Sequence, residues 1–175
     1  YIKKEDYDKE LIHEAETFWD NYGIKKENKF LTISYIGNIG KSFDFENIID
    51  IAAKYKRENK AVKFVICGEG EKSENLYNEV KQLYNVITPG WINKFQIKVL
   101  LMRSDLGLLP YINTKNYINN MPNKPAEYLS EGVILASSLE QGPIKQLIDE
   151  FDCGFCYSNR SEILDDKISF YLNNP

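Results

Sequence analysis

The sequence contains a glycine-rich turn, GNIGKS at residues 37–42, directly after a run with the composition of a buried strand. If this turn opens a helix near Phe43, free backbone N–H groups and the positive end of the helix dipole would face an anion, and Lys41 would add a full charge. The turn is not a Walker P-loop, because the first glycine of that motif would fall at Tyr35. A tight turn with a solvated lysine is the alternative interpretation.

A second turn, CGEGE at residues 67–71, follows the next predicted strand. Ser73 stands where a dinucleotide-binding fingerprint requires its third glycine, so NAD binding is not expected. Glu69 and Glu71 would repel a pyrophosphate, and we expect them to meet hydroxyls, amines or water.

A third candidate is the segment MPNKPAEYL at residues 121–129, which follows a predicted strand and a polar loop at residues 112–120. Its prolines suit the first turn of a helix. Lys124 and Glu127 would then project from the same side of the helix start. They could form an exposed ion pair, or Lys124 could neutralise a phosphate while Glu127 accepts hydrogen bonds from a vicinal diol.

Three other signals favour ordinary structural roles. The CGFC motif at residues 153–156 has redox spacing, but it follows a predicted helix and leads into a strand, whereas redox motifs usually open a helix. Asp6-Tyr7-Asp8 has the D-x-D spacing of some metal sites but lies in a charged leading segment. His13 falls on the polar side of a helix and has no candidate nucleophile beside it. No metal site is therefore expected.

Strand and helix patterns alternate along the chain, which predicts an α/β fold: a Rossmann-like, doubly wound parallel sheet of about six strands. In such a sheet the ligand crevice lies beyond the carboxyl ends of the strands, where the three candidate loops would meet. The predicted strands are Phe30–Ile36, Val62–Cys67, Asn85–Thr88, Asp105–Leu109, Val133–Ser137 and Gly154–Tyr157. Helical stripes are predicted at Leu76, Val80, Leu83 and Tyr84, at Ile144, Leu147, Ile148 and Phe151, and at Leu164, Ile168, Tyr171 and Leu172.

A further helix precedes the first strand. Its apolar face consists of Leu11, Ala15, Phe18, Trp19 and Tyr22. We divide the chain into a linker-side helix and connector at residues 1–29 and one α/β domain at residues 30–175. Because the chain starts at Tyr1 rather than at methionine, we expect it to be a piece of a longer protein.

The composition narrows the class of partner. The 22 basic and 26 acidic residues give a net charge of −4, which argues against a broad electropositive surface for nucleic acid. No apolar run approaches the roughly 18 residues of a membrane span, and the charged N-terminus is unlike a secretory signal. We expect a cytoplasmic protein that does not bind nucleic acid.

Six segments follow one another along the chain: YIGNIG at 35–40, FVICGEG at 64–70, PGW at 89–91, SDLGLLPY at 104–111, PNK at 122–124 and EYLSEG at 127–132. Their order and spacing resemble the C-terminal domain of glycosyltransferase family 4, a large retaining family with the GT-B fold, over about residues 30–172. The resemblance implies a donor, a sugar attached to a nucleoside diphosphate, that lies mainly on this domain.

Residue roles follow from the same resemblance. Lys41 and Lys124 would stabilise the charge of the diphosphate and so act as the catalytic groups, and Glu127 would hold the ribose hydroxyls. Residues 68–71 and 88–91 would border the nucleotide base. The remaining nucleotide-sugar-binding positions would be Gly37, Asn38, Gly40, Gly68, Glu69 and Asn123.

Two departures from the family pattern affect the expected site. Asn119 stands where the family signature has its first glutamate, which puts contacts to the donor sugar in doubt. Asn38 stands where many members have an arginine, although a Gly-Asn-x-Gly variant with a later lysine resembles a subgroup that is frequent among enzymes of bacterial surface polysaccharide synthesis.

The implied activity is hexosyl transfer with retention, in which preorganised positive charge stabilises the departing diphosphate without a metal or other cofactor. A saccharide or lipid-linked acceptor would bind an absent N-terminal domain, which would also make any peripheral contact with the inner face of a membrane. The domain alone would then bind donor without transferring it. The alternatives are half of a nucleotide-sugar epimerase and a noncatalytic α/β ligand-binding or receiver-like module, although a receiver's acidic cluster and phosphoacceptor aspartate are missing.

Overall fold

The computed structural model describes residues 9–27 and 29–174. Within this part of the chain, the strands are β1 Leu31–Ile36, β2 Val62–Cys67, β3 Val86–Gly90, β4 Leu106–Leu109, β5 Ile134–Ser137 and β6 Gly154–Cys156. The helices are α1 Lys9–Asn21, α2 Glu46–Arg57, α3 Ser73–Val80, α4 Lys94–Leu101, α5 Lys115–Asn119, α6 Lys124–Ser130, α7 Pro143–Phe151 and α8 Ser161–Asn173.

All six strands lie parallel in one sheet with the order β3-β2-β1-β4-β5-β6, which confirms the predicted α/β fold. Every residue of β1 is buried, as expected for a central strand that is covered on both faces. The strand order reverses between β1 and β4, and a crevice forms at such a switch point outside the carboxyl ends of the strands.

Each predicted strand overlaps an observed strand, and every predicted end lies within two residues of the observed one. The largest difference is at β3, which continues past Thr88 to Gly90. The pairing of β3 with β2 continues to Gly90, because the N–H of Gly68 donates to the carbonyl oxygen of Gly90 over 2.8 Å.

The predicted start of α2 near Phe43 is wrong, because α2 begins at Glu46. The preceding residues turn instead, and Phe43 and Phe45 are buried. The first free N–H of the helix, from Glu46, donates to the Asp44 carboxylate over 3.0 Å. At the positive end of this helix, one backbone N–H is therefore already paired with an acidic side chain.

One predicted helical stripe extends too far, because α3 ends at Val80 and Tyr84 beyond it is 65% exposed. The stripe that ends at Phe151 lies within α7, but the Phe151 side chain is 64% exposed. The five-residue helix α5 lies inside the segment that the sequence predicts to be a polar loop.

Helix α1 packs against α4 and closes one side of the core. The Trp19 side chain is fully buried, and its indole N–H donates to the carbonyl oxygen of Gln96 over 2.8 Å. Ala15 is buried beside it. Helix α1 therefore packs into the same hydrophobic core as the residues that follow it. The domain boundary between residues 29 and 30 stays a prediction.

The two tryptophans allow a matched test of this packing. We expect Trp19→Ala to lower the free energy of unfolding by about 3–5 kcal/mol, because it leaves a large cavity and removes the indole hydrogen bond to Gln96. Trp91→Ala, at a side chain that is 68% exposed, should change it by only about 0.5 kcal/mol. Urea denaturation followed by circular dichroism measures both, and equal losses would contradict the docked position of α1.

Candidate functional site

The loops after β1 and β2 are joined by backbone hydrogen bonds. The N–H of Gly37 donates to the carbonyl oxygen of Cys67 over 3.0 Å, and the N–H of Ile39 donates to that of Glu69 over 2.9 Å. Gly68 has a φ of +139°, and a Cβ atom there would lie 1.7 Å from the carbonyl oxygen of Gly37. Only glycine permits this approach, so the two predicted turns form one continuous backbone floor.

The loop after β4 closes the opposite side of the crevice. The N–H of Asp44 donates to the carbonyl oxygen of Pro110 over 2.8 Å, and the N–H of Ile112 donates to that of Ser42 over 3.1 Å. The residues after β1 are therefore fixed from both sides, at the point where the strand order reverses.

Lys124, the first residue of α6, reaches into this crevice. Its Nζ atom lies 4.9, 4.4 and 5.8 Å from the ring centres of Tyr35, Phe43 and Tyr111, which we call the aromatic cage. It donates a long hydrogen bond of 3.5 Å to the Tyr35 hydroxyl oxygen. A Cβ atom at Gly37 would lie 2.6 Å from Nζ, so the glycine makes room for the lysine.

The ammonium group of Lys124 is partly desolvated. Burial lowers the pKa of Lys124 to about 8, and the Glu127 carboxylate acts in the opposite direction. Cation–π contacts with the cage offset part of the desolvation. Among the described residues, no carboxylate oxygen lies within ion-pair distance of Nζ. The crevice floor therefore holds a cation that would be stabilised by an approaching anion.

Lys41 is held differently. Its exposed ammonium group forms a 3.1 Å ion pair with the Glu71 carboxylate, which also accepts the backbone N–H of Lys41 over 3.0 Å. These contacts with Lys41 lower the pKa of Glu71. Glu71 thus meets an amine, as the sequence predicted, and it occupies the two groups of Lys41 that were expected to face an anion.

A cavity of about 350 Å³ opens beside this floor. Its apolar wall includes Ile36, Cys67 and Ile92, and the exposed indole of Trp91 lies at its border. Gly68 and Glu69 also line it, as do Gly37, Asn38 and Ile97. Its volume is in the range of small-molecule sites, and it lies where the sequence analysis places a nucleotide base.

The other predicted polar residues lie at the surface near the start of α6 and the glycine-rich turn. Asn38, Asn119, Asn123 and Glu127 are exposed, whereas Gly40 is buried. The N–H of Glu127 donates to the carbonyl oxygen of Asn123 over 3.1 Å. Within the described chain, Lys124 and Glu127 form no ion pair, so the lysine is available to a ligand.

Sequence reasoning missed the aromatic cage. Tyr35 lies near the end of β1, Phe43 lies before α2, and Tyr111 follows β4, so the three rings come from separate segments. The Tyr35 hydroxyl also donates to the carbonyl oxygen of Asn38 over 2.5 Å and supports the glycine-rich turn. The sequence signal that could have indicated the cage is the position of Tyr35 and Tyr111, which lie at or just beyond the carboxyl ends of two central strands.

The weaker sequence signals gain no support from the structure. Cys153 and Cys156 are free thiols, and burial raises the pKa of both, to about 11 for Cys156, whereas redox chemistry requires a low thiol pKa. Asp6 and Asp8 lie outside the described residues. Across 9–27 and 29–174, no three histidine, cysteine or acidic side chains gather as metal ligands, and no helix is long and apolar enough to cross a membrane.

Comparison with known families decides the assignment. The model of the family described as Glycosyl transferases group 1 matches residues 18–175. The chain belongs to this family. The expected relation to glycosyltransferases of the GT-B fold is therefore confirmed, and membership of family 4 stays a prediction. A comparison with curated protein sequences found no match.

Solved structures agree in fold. A point mutant of Staphylococcus aureus TarM, in a complex that contains UDP, aligns with a TM-score of 0.63 at 16% identity over 83% of this chain and 29% of its own. The catalytic domain of the Helicobacter pylori cholesterol-α-glucosyltransferase gives 0.62 at 18% identity, over 82% of this chain and 87% of its own. Anabaena HepE in complex with UDP-glucose gives 0.65 at 16% identity, over 96% and 46%. The chain thus spans less than half of TarM and HepE.

Because Gly68 and Gly37 are in contact, we expect that adding one methyl group at Gly68 strongly destabilises the fold. Gly68→Ala should lower the free energy of unfolding by about 3 kcal/mol or more, because it adds a backbone clash to an unfavourable φ. Gly132→Ala is the control, since Gly132 also has a positive φ of +77° but no atom within 4 Å of a Cβ there, and it should lose about 1–2 kcal/mol. Urea denaturation distinguishes the two, and a small loss for Gly68→Ala would mean that the loops are not in contact.

Proposed function

We propose that this domain binds the nucleoside diphosphate of a sugar donor and supplies the donor half of a retaining glycosyltransferase. The observation that carries the proposal is the ammonium group of Lys124, held without a carboxylate partner among the described residues and beside the glycine-rich turn. A diphosphate in the crevice would meet this cation and the backbone of Gly37 together. Positive charge placed in advance stabilises the leaving diphosphate as the bond to the sugar breaks.

The cavity beside the glycine-rich turn supports the placement of the nucleoside. Its apolar wall suits the faces of a base, and Trp91 offers an aromatic surface at its border. Glu127, exposed in the first turn of α6, would accept hydrogen bonds from the ribose hydroxyls. The likeness to proteins whose structures contain UDP and UDP-glucose makes uridine diphosphate the first ligand to test.

Transfer itself would require a second domain. An acceptor saccharide or lipid-linked sugar must bind opposite the donor, and water must be excluded as the new glycosidic bond forms. We propose that this domain alone binds donor without transferring sugar, that Asn119 lies near the sugar, and that the full enzyme acts in bacterial surface polysaccharide synthesis. We also propose that the diphosphate is bound without a metal ion, which titrations with and without EDTA would check.

The role of Lys124 is tested by calorimetric titration with UDP and with uridine. Lys124→Met removes the charge but keeps most of the length of the side chain, and it should weaken UDP binding about tenfold or more, the range of charge-assisted hydrogen bonds. Uridine binding should change little. Lys115→Met, at an exposed lysine on α5, is the matched control. Equal losses for both ligands would show that Lys124 does not contact phosphate, and no binding of UDP by the wild type would refute the proposed function.

The lowered pKa of Lys124 predicts a pH profile. The free protein loses this proton as the pH rises through about 8, whereas a bound diphosphate favours the ammonium and raises its pKa. UDP affinity should therefore be highest below about pH 7.5 and fall above it. Measurements should stay above about pH 7, because the terminal phosphate itself titrates near pH 6. Lys124→Met should have a flat profile, and a flat wild-type profile would contradict the assignment.

Glu71 should compete with the diphosphate for Lys41. Glu71→Gln removes the competing charge and should tighten UDP binding about 1.5- to 5-fold, the scale of an exposed ion pair. Glu74→Gln, at an exposed glutamate in the first turn of α3, is the control and should have no effect. The gain should vanish in a Lys41→Ala background. If Glu71→Gln binds UDP no more tightly than the wild type, Lys41 is not part of the phosphate site.

A further inference from the structure

The loops at the amino ends of β1, β2 and β3 form a surface opposite the crevice. We define the amino-end face as residues 25–27 and 29 before β1, residues 54–63 from the last turn of α2 into β2, and residues 81–84 before β3. Because β1 and β2 each have six residues, this face lies about 20 Å from the crevice loops. The two surfaces can therefore bind different partners.

The charge of the chain is strongly segregated toward this face. The amino-end face contains nine of the 22 lysines and arginines but only two of the 26 acidic residues, Glu27 and Glu58. Its formal charge is +7, so the remainder of the chain carries −11 to give the net charge of −4. The negative net charge of the whole chain is therefore compatible with a strongly basic surface at this face.

Hydrogen bonds show that the three segments are neighbours. The N–H of Leu31, next to the first segment, donates to the carbonyl oxygen of Ala61 over 2.9 Å. Lys56 lies over the ring of Tyr84 and donates to the carbonyl oxygen of Gln82. Lys63 reaches back to the carbonyl oxygen of Gly23. The cations therefore share one surface.

Part of this charge has a local explanation, and part does not. Lys54 pairs with Asp165, and Lys60 pairs with Glu58. Lys54, Lys56 and Arg57 also complement the negative end of the α2 dipole. Lys29 and Lys81 lie outside that helix, and they and Arg57 are exposed with no carboxylate partner among the described residues. These three cations are therefore exposed to solvent and available to an anionic partner.

We infer that the amino-end face binds the surface of an anionic lipid bilayer. Eight of its nine cations are lysines, which act as hydrated point charges and lack the rigid fork by which arginine recognises individual phosphates. Clusters of this size are attracted to anionic headgroups. Tyr84, 65% exposed beside Lys56, supplies the kind of aromatic side chain that settles at a membrane interface. This contact belongs to the present domain, in addition to any made by another domain.

The inference has a geometric consequence for access to the crevice. With the amino-end face on the bilayer, the carboxyl ends of the strands point away from the lipid. The crevice would then stay open to ligands from solution while the domain is bound. Lipid binding and nucleotide binding should therefore be independent, and saturating UDP should leave vesicle affinity unchanged.

The test is flotation with vesicles of phosphatidylcholine, with and without phosphatidylglycerol. The wild-type chain should float with phosphatidylglycerol vesicles at low salt, stay behind with pure phosphatidylcholine, and be released at high salt. The triple variant Lys29→Gln, Arg57→Gln and Lys81→Gln should bind on the order of 10- to 100-fold more weakly. Its matched control is Lys9→Gln, Lys72→Gln and Lys115→Gln, which loses the same charge at exposed sites outside the face and should bind like the wild type.

The outcomes distinguish lipid binding by the amino-end face from attraction that depends only on the net charge of the chain. Equal weakening of the two triple variants would attribute binding to net charge and overturn the inference, as would failure of the wild type to float with phosphatidylglycerol vesicles. Tighter binding to single-stranded DNA than to vesicles would assign the face to nucleic acid instead. Unfolding curves of both variants should match the wild type, and if the face variant is destabilised, Lys29→Gln with Lys81→Gln preserves the comparison.

Discussion

The close approach of the backbones at Gly37 and Gly68 determines the geometry of the crevice. The absent Cβ at Gly68 lets the loops after β1 and β2 touch, and the absent Cβ at Gly37 leaves the space that the Lys124 side chain fills. A side chain at either position would separate groups that must lie together. The glycine-rich turn therefore depends on two different contacts, one between backbones and one between backbone and lysine, and its conformation follows from both.

Much of the fold could be predicted because each strand is specified locally. The high content of β-branched and aromatic residues before residue 37 identifies β1, and the turns after β1 and β2 follow from their glycines. The start of α2 could not be predicted in this way. A helix could open near Phe43, directly after the glycine-rich turn, but the rings of Phe43 and Phe45 pack with Tyr35 in the core, and tertiary packing outweighs local propensity.

Parts of the site depend on pairings that one sequence does not reveal. Lys124 can be identified from its place near a helix start, but the cage around it combines residues 35, 43 and 111, which are distant in the chain. The same holds for Glu71 and Lys41, whose loops are joined by hydrogen bonds such as the one from the N–H of Lys72 to the carbonyl oxygen of Ile39 over 3.0 Å. Likewise, the net charge of −4 does not indicate the amino-end face, because a total over the chain does not show which loops a parallel sheet brings to the same end.

The environment of Lys124 also makes it a distinctive chemical group. With a pKa of about 8, roughly one tenth of its side chains carry a free amine at about pH 7, whereas an ordinary lysine with a pKa near 10.4 has well under one per cent. The free amine is the nucleophile in acylation. A lysine-directed electrophile small enough to enter the cage would therefore modify this residue ahead of the exposed lysines, and the aromatic rings around it would favour reagents with a flat, apolar body. Lys124 is thus a candidate attachment point for lysine-directed spectroscopic labels.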